Sequence, residues 1–178
     1  VGATGAGKST MADRVVAWLE SNGRHVVRTR EPGGTALGEE LRGLLLGRRR
    51  EAMSIDAELL LMFAARAEHL RTVIEPAIAA GDWVLCDRFT DATYAYQGYG
   101  RGVPLTRIET LEQWVQGERR PDLTLLLDVP VEIGLDRAGR RSAPDRFERQ
   151  DLAFFERVRA GYRTLAAADP GRFRVIDA

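Results

Sequence analysis

The sequence lacks both the paired cysteines that cross-link many secreted domains and the excess of positive charge that binds polyanions without specificity. Cys86 is the single cysteine among 178 residues, which excludes an internal disulfide. No uncharged run approaches the roughly 18 apolar residues of a membrane span. Lysine plus arginine (26) cancels aspartate plus glutamate (26), which argues against general binding of nucleic acid or membranes. We therefore expect a soluble, cytoplasmic protein that folds as one domain over residues 1–178.

Lysine is nearly absent as well. Of the 26 basic residues only Lys8 is a lysine, and the other 25 are arginine. A single lysine retained in such a composition suggests a site that needs an ammonium group on a flexible stem.

Strand and helix patterns alternate along the chain. Continuous apolar runs at 83–86 and 123–127, each followed by aspartate, indicate strands buried on both faces of a parallel sheet, and 25–29 and 173–176 are typical of shorter strands. Helical periods cover 9–20, 38–46, 56–80, 107–117 and 151–168. We predict a three-layer α/β fold, a parallel sheet flanked by helices. Since Val1 alone precedes the first turn and Ala178 directly follows a strand, we expect the natural chain to extend at both ends.

Four apolar side chains are expected in the core, because they fall on apolar helix faces or inside strands. They are Trp18, Trp83, Cys86 and Trp114.

The chain opens on a glycine-rich loop, Gly2-Ala3-Thr4-Gly5-Ala6-Gly7-Lys8-Ser9, that fits G-x-x-x-x-G-K-[ST] and leads at once into a helical period. Its glycines let successive N–H groups point inward, and the helix adds its positive N-terminal end. We expect the loop to cradle a nucleoside triphosphate, with Lys8 at the β- and γ-phosphates, Ser9 on Mg²⁺ and Thr10 near the α-phosphate. An unliganded flexible turn is the alternative, and the motif is shared by GTPases, motor ATPases and kinases.

Cationic side chains follow at two further places. Asp87 and Arg88 stand at the carboxyl end of a predicted strand, the edge of an open α/β sheet where ligands bind. There Arg88 could clamp an acceptor phosphate and Asp87 could hold Mg²⁺, or the two could form a simple surface ion pair. The arginine-rich segment 136–148 is predicted to be a mobile lid, in which Arg140 and Arg141 would face the charge that develops during phosphoryl transfer. A solvated basic face is the alternative.

Taken together, these motifs resemble the bacterial thymidylate kinase family over nearly the whole chain. Beside the glycine loop, the matching strings are Thr-Arg-Glu-Pro-Gly-Gly-Thr at 29–35, Gly-Glu-Glu-Leu-Arg at 38–42, Asp-Arg-Phe at 87–89, Ala-Tyr-Gln-Gly at 95–98, Arg-Gly at 101–102, Asp-Arg-Phe-Glu at 145–148 and Phe-Phe-Glu-Arg-Val-Arg at 154–159. The resemblance implies a P-loop nucleoside monophosphate kinase fold with an arginine-bearing lid. It also implies a cytoplasmic homodimer that transfers phosphate from Mg-ATP to dTMP, giving dTDP for DNA synthesis.

The resemblance further implies roles for individual residues. Arg42 and Arg88 would hold the dTMP phosphate, while Glu31 and Asp87 would organise Mg²⁺ and its waters. The residues expected near the nucleoside are Arg66 and Gln97 at the thymine edge, Thr93 near the base, and Tyr96 beside the sugar, where its ring would disfavour a 2′-hydroxyl.

Two positions depart from the family pattern. Thr4 stands in the glycine loop where the family usually has an acid, so any carboxylate role would pass to Glu31 or Asp87. Met62 stands where the family tends to have an aromatic residue, with Phe63 next to it, and either could lie against thymine. Two rival functions remain: a phosphotransferase for a deoxynucleoside hydroxyl, with Glu31 as base, and a nucleotide-binding regulatory module without catalysis.

Overall fold

The structure, a computed structural model, describes residues 1–47, 51–139 and 150–178. Helices and strands alternate along it, and two short π-helical segments are named π1 and π2. In chain order the elements are α1 (Lys8–Ser21), β1 (Val26–Arg30), α2 (Ala36–Leu46), α3 (Ile55–His69), π1 (Leu70–Ile74), α4 (Glu75–Ala79), β2 (Trp83–Asp87), α5 (Thr90–Thr93), π2 (Tyr94–Gly100), α6 (Leu105–Gln116), β3 (Thr124–Asp128), α7 (Val131–Gly139), α8 (Leu152–Ala168) and β4 (Phe173–Asp177).

Side-chain caps explain where three of the helices begin. The Thr35 hydroxyl accepts a hydrogen bond from the Gly38 N–H at 2.8 Å and starts α2. Ser54 starts α3 and Asp151 starts α8 in the same way, and each satisfies an N–H that has no partner inside the helix. The helices predicted from apolar periodicity are therefore confirmed within a few residues. The predicted run 56–80 contains three pieces, α3, π1 and α4, rather than one regular helix.

The strands pair in parallel, as predicted, but they form two pairs rather than one hydrogen-bonded sheet. β1 pairs with β2, and β3 pairs with β4. Val1 lies along the open edge of β3, where its amino group donates to the Leu125 carbonyl and its own carbonyl accepts from the Leu127 N–H. This is the bonding of a residue in a parallel neighbour strand, but a single residue is too short to join the two pairs into one sheet.

The largest buried cluster joins π2 to α8 beside β3 and β4. Tyr96, Phe154, Phe155 and Tyr162 dominate it, and a second cluster packs α3 on α6 through Phe63 and Ile108. Two helical stretches of this arrangement, α5 with π2 and α7, are absent from the sequence prediction. In α5 and π2 the helical period is weak, because threonine, tyrosine and glycine make up most of the residues. The α7 helix is amphipathic but only nine residues long.

The three tryptophans are not core residues, contrary to expectation. Trp114 is 81% exposed, Trp18 is 64% exposed and Trp83 is 50% exposed. Each lies on a helix or strand face that no other described element covers. The apolar pattern therefore identified these faces correctly, but it did not show whether another element packs on them. Within the described residues, no helix is both long and apolar enough to cross a membrane.

Candidate active site

The glycine loop folds into a tight turn that ends on the first residue of α1. Gly2, Gly5 and Gly7 all adopt positive φ angles, a region that disfavours any other residue. Gly7 caps α1 and has no side chain to bond the first N–H groups of the helix, a kind of terminus at which anions commonly bind. The Lys8 ammonium lies back along the loop, where Nζ donates to the Ala3 carbonyl at 2.9 Å. Ser9 and Thr10 are exposed on the first turn.

The loop is held by close backbone contacts. A Cβ atom on Gly2 would lie 2.4 Å from the Leu127 carbonyl oxygen of β3, and one on Gly5 would lie 1.8 Å from the carbonyl oxygen of Gly134 in α7. Gly134 is a site residue that the sequence analysis missed. Its signal was a glycine inside an amphipathic stretch soon after a strand, a place where two backbones approach closely.

The carboxyl ends of β1 and β2 bring Glu31, Asp87 and Arg88 side by side. Arg30 is the register partner of Asp87, and the Glu31 N–H donates to the Asp87 carbonyl at 3.0 Å. The helix α1 packs on both strands. The glycine loop, which leads into α1, therefore lies on the same side of these strands as the helix that packs on them.

Arg88 is fixed in an unusual conformation by two tyrosines. It has a φ of 73°, and no other non-glycine residue in the described ranges has a positive φ. Its guanidinium lies 4.7 Å from the centroid of the Tyr96 ring and donates to the Tyr96 hydroxyl at 3.1 Å and to the Tyr162 hydroxyl at 3.4 Å. Cation–π and hydrogen-bond contacts thus hold the Arg88 guanidinium at the carboxyl end of β2. Tyr162 was not predicted, because it lies 74 residues further along the chain.

Glu31 does not stand alone as a metal ligand; it belongs to a buried network. Its carboxylate accepts from Arg66 Nε at 2.8 Å and contacts His69 Nδ1 at 3.0 Å. His69 Nε2 lies 2.6 Å from the Thr29 hydroxyl, and Arg66 Nη2 donates to the Thr93 hydroxyl at 2.9 Å. Arg66 Nη1 is buried and has no hydrogen-bond partner in the described residues. One donor of Arg66 is therefore available to a ligand.

Gln97 lies on the helix facing α3, where its partner is a glutamate. Its Nε2 donates to Glu58 Oε1 at 2.7 Å, and Arg101 Nε donates to the same oxygen at 3.2 Å. Glu58 and Gln97 are each only 1% exposed. Glu58, Met62 and Arg66 follow one another at four-residue spacing, so they share one face of α3. Glu58 was missed, although this spacing from Arg66 was visible in the sequence.

Met62 and Phe63 have different surroundings. Met62 is half-buried and packs against the cluster that contains Tyr96 and Phe154. Phe63 is 2% exposed in the core between α3 and α6, and its ring centroid lies 4.7 Å from the Arg66 guanidinium. Phe63 therefore supports the arginine, whereas Met62 lies on the face shared by Glu58 and Arg66.

Hydrogen bonds to residues of α2 hold the loop between β1 and α2 in place. Arg42 Nη1 donates to the Pro32 carbonyl at 2.9 Å. The Gly34 N–H and the Arg30 guanidinium donate to Glu39 and hold the pKa of that carboxyl below its usual range. Arg42 thus lies beside the loop that carries Glu31.

The described residues offer a magnesium ion one oxygen donor at the strand edge and one at the glycine loop. Asp87 Oδ1 is buried without a hydrogen-bond partner in the part of the chain that the structure describes, and the Ser9 hydroxyl is exposed at the start of α1. Among the same residues, no group of three or more histidine, cysteine, aspartate or glutamate side chains could hold a metal. This donor set fits Mg²⁺, which takes one or two protein oxygens and completes its shell with phosphates and water.

The predicted residues therefore occupy two neighbouring places. The glycine loop with Lys8, Ser9 and Thr10 lies at one, and Glu31, Arg66, Asp87, Arg88, Thr93 and Tyr96 lie at the other, with Arg42, Met62 and Gln97 on their flanks. The first four residues of the predicted lid, 136–139, complete α7. Arg140 and Arg141 lie outside the described residues, so their role stays a prediction.

This combination of a parallel α/β fold, a glycine-rich loop at the start of a helix and clustered arginines near the carboxyl ends of the strands is typical of P-loop kinases that act on nucleoside monophosphates. A family model described as thymidylate kinase matches residues 2–178, and the chain belongs to the thymidylate kinase family.

Individual relatives agree with the family match. A thymidylate kinase of Methylococcus capsulatus is 61% identical over 177 residues, which are 99% of this chain and 84% of the relative. One from Pseudomonas syringae pv. syringae is 60% identical over the same shares. The crystal structure of thymidylate kinase from Ehrlichia chaffeensis superimposes with a TM-score of 0.80 at 35% identity, covering 98% of this chain and 88% of that one.

Proposed function

We propose that the protein phosphorylates dTMP to dTDP with Mg-ATP, in the nucleotide biosynthesis that supplies DNA synthesis. The observation that carries the proposal is the cluster of Arg88, Arg66 and Gln97 opposite a phosphate-binding loop. It offers a guanidinium for the acceptor phosphate and two buried polar side chains for a base. The family membership and the thymidylate kinase relatives support the same reaction.

The chain's own residues would act by positioning and by neutralising charge. A phosphate monoester with a second pKa of about 6 already presents a charged oxygen at pH 7, so the acceptor needs no strong general base. Lys8 and the N–H groups of the loop would hold the donor phosphates, while Arg88, with Arg42 beside it, would hold the acceptor phosphate. When bound, Mg²⁺ at Ser9 and Asp87 would offset the negative charge on the donor phosphates.

The base would lie across the face of α3. Arg66 Nη1 has an open donor for O4, and the Gln97 carbonyl oxygen could accept from N3–H. Met62 lies on the face of α3 between Arg66 and Glu58, the partner of Gln97, so we propose that Met62 rather than Phe63 contacts thymine. Thr93 would reach the base through its bond to Arg66, and Tyr96, whose hydroxyl is held by Arg88, would lie beside the sugar.

The deoxynucleoside kinase alternative has less support. It would need Glu31 as a free general base for a hydroxyl. Both Glu31 oxygens already contact donors, one from Arg66 and the other from His69. The presence of Lys8, Ser9, Asp87 and Arg88 likewise argues against a regulatory module without catalysis.

The decisive experiment supplies the protein with a panel of nucleoside monophosphates and Mg-ATP and measures kcat/KM for each. We expect strong preference for dTMP over dCMP, because cytosine reverses donor and acceptor at O4 and N3 and leaves buried groups unpaired at about 1–3 kcal/mol each. Discrimination against dUMP should be weaker, since one methyl group contributes on the order of 1 kcal/mol. Equal use of dCMP and dTMP would contradict the proposal.

We further propose a homodimer in the cytoplasm. The family resemblance supports both, and the unpaired Cys86 fits a reducing compartment. Light scattering of the purified protein would give the mass of the assembly, and a monomer at all concentrations would contradict the dimer.

A further inference from the structure

Glu58 is a buried glutamate for which neither the sequence analysis nor the reaction chemistry assigned a role. It lies at the amino end of α3, two helical turns before Arg66, and is 1% exposed. Ionised carboxylates are rarely buried to this degree unless charged or polar partners compensate. Gln97 and Arg101 are two such partners, and both donate to the same oxygen, Oε1.

The chemistry of Glu58 decides which way the Gln97 amide points. A glutamine amide has a donor end and an acceptor end that are almost identical in shape, so packing alone does not select between the two orientations. An ionised carboxylate accepts hydrogen bonds and donates none. Because Arg101 also donates to Oε1, this oxygen is an acceptor for both neighbours, and only the NH₂ end of Gln97 can face it. The carbonyl oxygen of Gln97 must then point away from Glu58, and it accepts no hydrogen bond from any residue the structure describes.

We infer that Glu58 is a positioning residue for base selection: by holding the amide end of Gln97, it presents the Gln97 carbonyl to the base as a hydrogen-bond acceptor. This inference rests on the proposed function, in which Gln97 meets the base edge. An acceptor at this point pairs with a ring N3–H, as in thymine and uracil. It opposes the unprotonated N3 of cytosine, which is itself an acceptor. Glu58 thus determines that the site presents an acceptor rather than a donor to the base, without itself contacting the substrate.

The test replaces the carboxylate by an amide. Glu58→Gln can donate as well as accept, so Gln97 becomes free to turn its NH₂ group toward the base. We expect kcat/KM for dTMP relative to dCMP to fall by about 10-fold or more, with the loss appearing as a higher KM for dTMP and a lower one for dCMP. In a Gln97→Leu background the same substitution should leave the ratio unchanged, because the amide through which Glu58 acts is gone.

Glu112 provides a matched control. It is also a buried glutamate, and its Oε1 also receives a glutamine amide, from Gln116 at 3.3 Å, and an arginine, Arg120, at 3.0 Å. Its third partner is the Tyr94 hydroxyl, and it has no contact with Gln97. Glu112→Gln should therefore affect thermal stability much as Glu58→Gln does, while the dTMP to dCMP ratio stays at the parental value.

The outcomes separate this inference from the proposed function. If the parent protein itself does not prefer dTMP to dCMP, the proposed function fails. If the parent discriminates and a folded Glu58→Gln variant keeps the same ratio, the positioning role of Glu58 is wrong. Should Glu58→Gln not fold, Glu58→Ser carries the same test, because the short serine side chain no longer holds the Gln97 amide at the position of Oε1 and leaves it free to turn. A fall in the ratio for Glu58→Gln and for Glu112→Gln alike would also overturn the inference, since it would indicate a general loss of packing.

Discussion

The Arg66 guanidinium donates from Nε to the Glu31 carboxylate at 2.8 Å, and the two side chains are 2% and 4% exposed. The contact joins the loop after β1 to α3, two elements 35 residues apart. It links a carboxylate near the proposed metal edge to an arginine near the proposed base, so the phosphate and base ends of the acceptor site are one structural unit. Phe63 and Phe89 flank the same guanidinium at 4.7 and 5.2 Å.

Removing Glu31 should therefore destabilise the protein as well as impair catalysis. Glu31→Ala leaves Arg66 buried without its counter-charge, a change that costs about 3–5 kcal/mol in buried ion pairs. In a protein of this size 1 kcal/mol lowers Tm by about 2–4 °C, so we expect a fall of roughly 10 °C in a thermal melt. Glu39→Ala breaks the exposed pair with Arg30 and should change stability by about 1 kcal/mol or less. Equal losses for both would contradict this reading.

Lys8→Ala should abolish turnover while leaving the fold intact. Its ammonium donates to the Ala3 carbonyl within the same loop, a local contact whose loss should leave the core unchanged. The substitution removes the sole ammonium that could reach the β- and γ-phosphates, and we expect kcat to fall by at least about 100-fold. Arg14→Ala, an exposed cation on the same helix, is the control and should keep its activity. Near-parental activity of the Lys8→Ala variant would contradict a role of the glycine loop in binding the donor phosphates.

Arg88→Ala should raise the KM for dTMP and lower kcat together. The arginine is expected to hold both the ground-state phosphate and the more highly charged transition state. Arg172→Ala is a matched control, because Arg172 also stacks on an aromatic ring, at 4.5 Å from the centroid of Phe173, and pairs with Asp91, which is not one of the proposed site residues. It should lower Tm without changing the KM for dTMP. Steady-state kinetics with varied dTMP and varied ATP distinguish the Arg88→Ala variant from the Arg172→Ala variant. If Arg88→Ala changes only the KM for ATP, Arg88 binds ATP rather than dTMP.

Met62→Ala should weaken dTMP binding more than it lowers stability. Met62 is half-buried on the α3 face that carries Arg66, so its loss removes apolar contact with the base. Phe63→Leu, in the core between α3 and α6, should instead lower Tm with a smaller change in KM. Calorimetric titration with dTMP and a thermal melt of each variant measure the two effects. A larger binding defect for Phe63→Leu would assign thymine stacking to Phe63.

Stability should decline above about pH 9 because of Cys86. Burial raises the pKa of this thiol well above 9.0, and its Sγ donates to the Arg88 carbonyl at 2.9 Å. The folded state therefore keeps a proton that the unfolded state releases. The thiol's contribution is fully present below the unfolded pKa and is lost as the pH rises above it. In thermal melts between pH 7 and 10, Tm should fall less with pH in the Cys86→Ala variant than in the parent protein. An equal fall of Tm in both proteins would contradict the role given to the Cys86 thiol.

Local patterns accounted for much of the fold. Periodicity predicted α1, α2 and α8 within a few residues, because each has a cap or glycine at its start and a continuous apolar face. It failed for α5 and π2, which tertiary packing rather than propensity makes helical, and for α7, an amphipathic stretch of only nine residues. It also placed Trp18 and Trp114 inside, because an apolar face indicates a partner surface and does not say whether a described element covers it.

For the site, the sequence by itself determined the glycine loop, Lys8, and the acidic and basic residues at the strand ends, because these depend on neighbours only a few residues away. Tertiary structure alone decided that Glu31 pairs with Arg66 and His69, that Tyr162 holds Arg88, and that Glu58 orients Gln97. Such partners lie 35 to 74 residues apart, and no local rule specifies which of many charged or polar side chains will meet. The packing of α3 against π2 and of α8 against π2 makes that choice, since buried polar groups must find partners within whatever surfaces the core brings together.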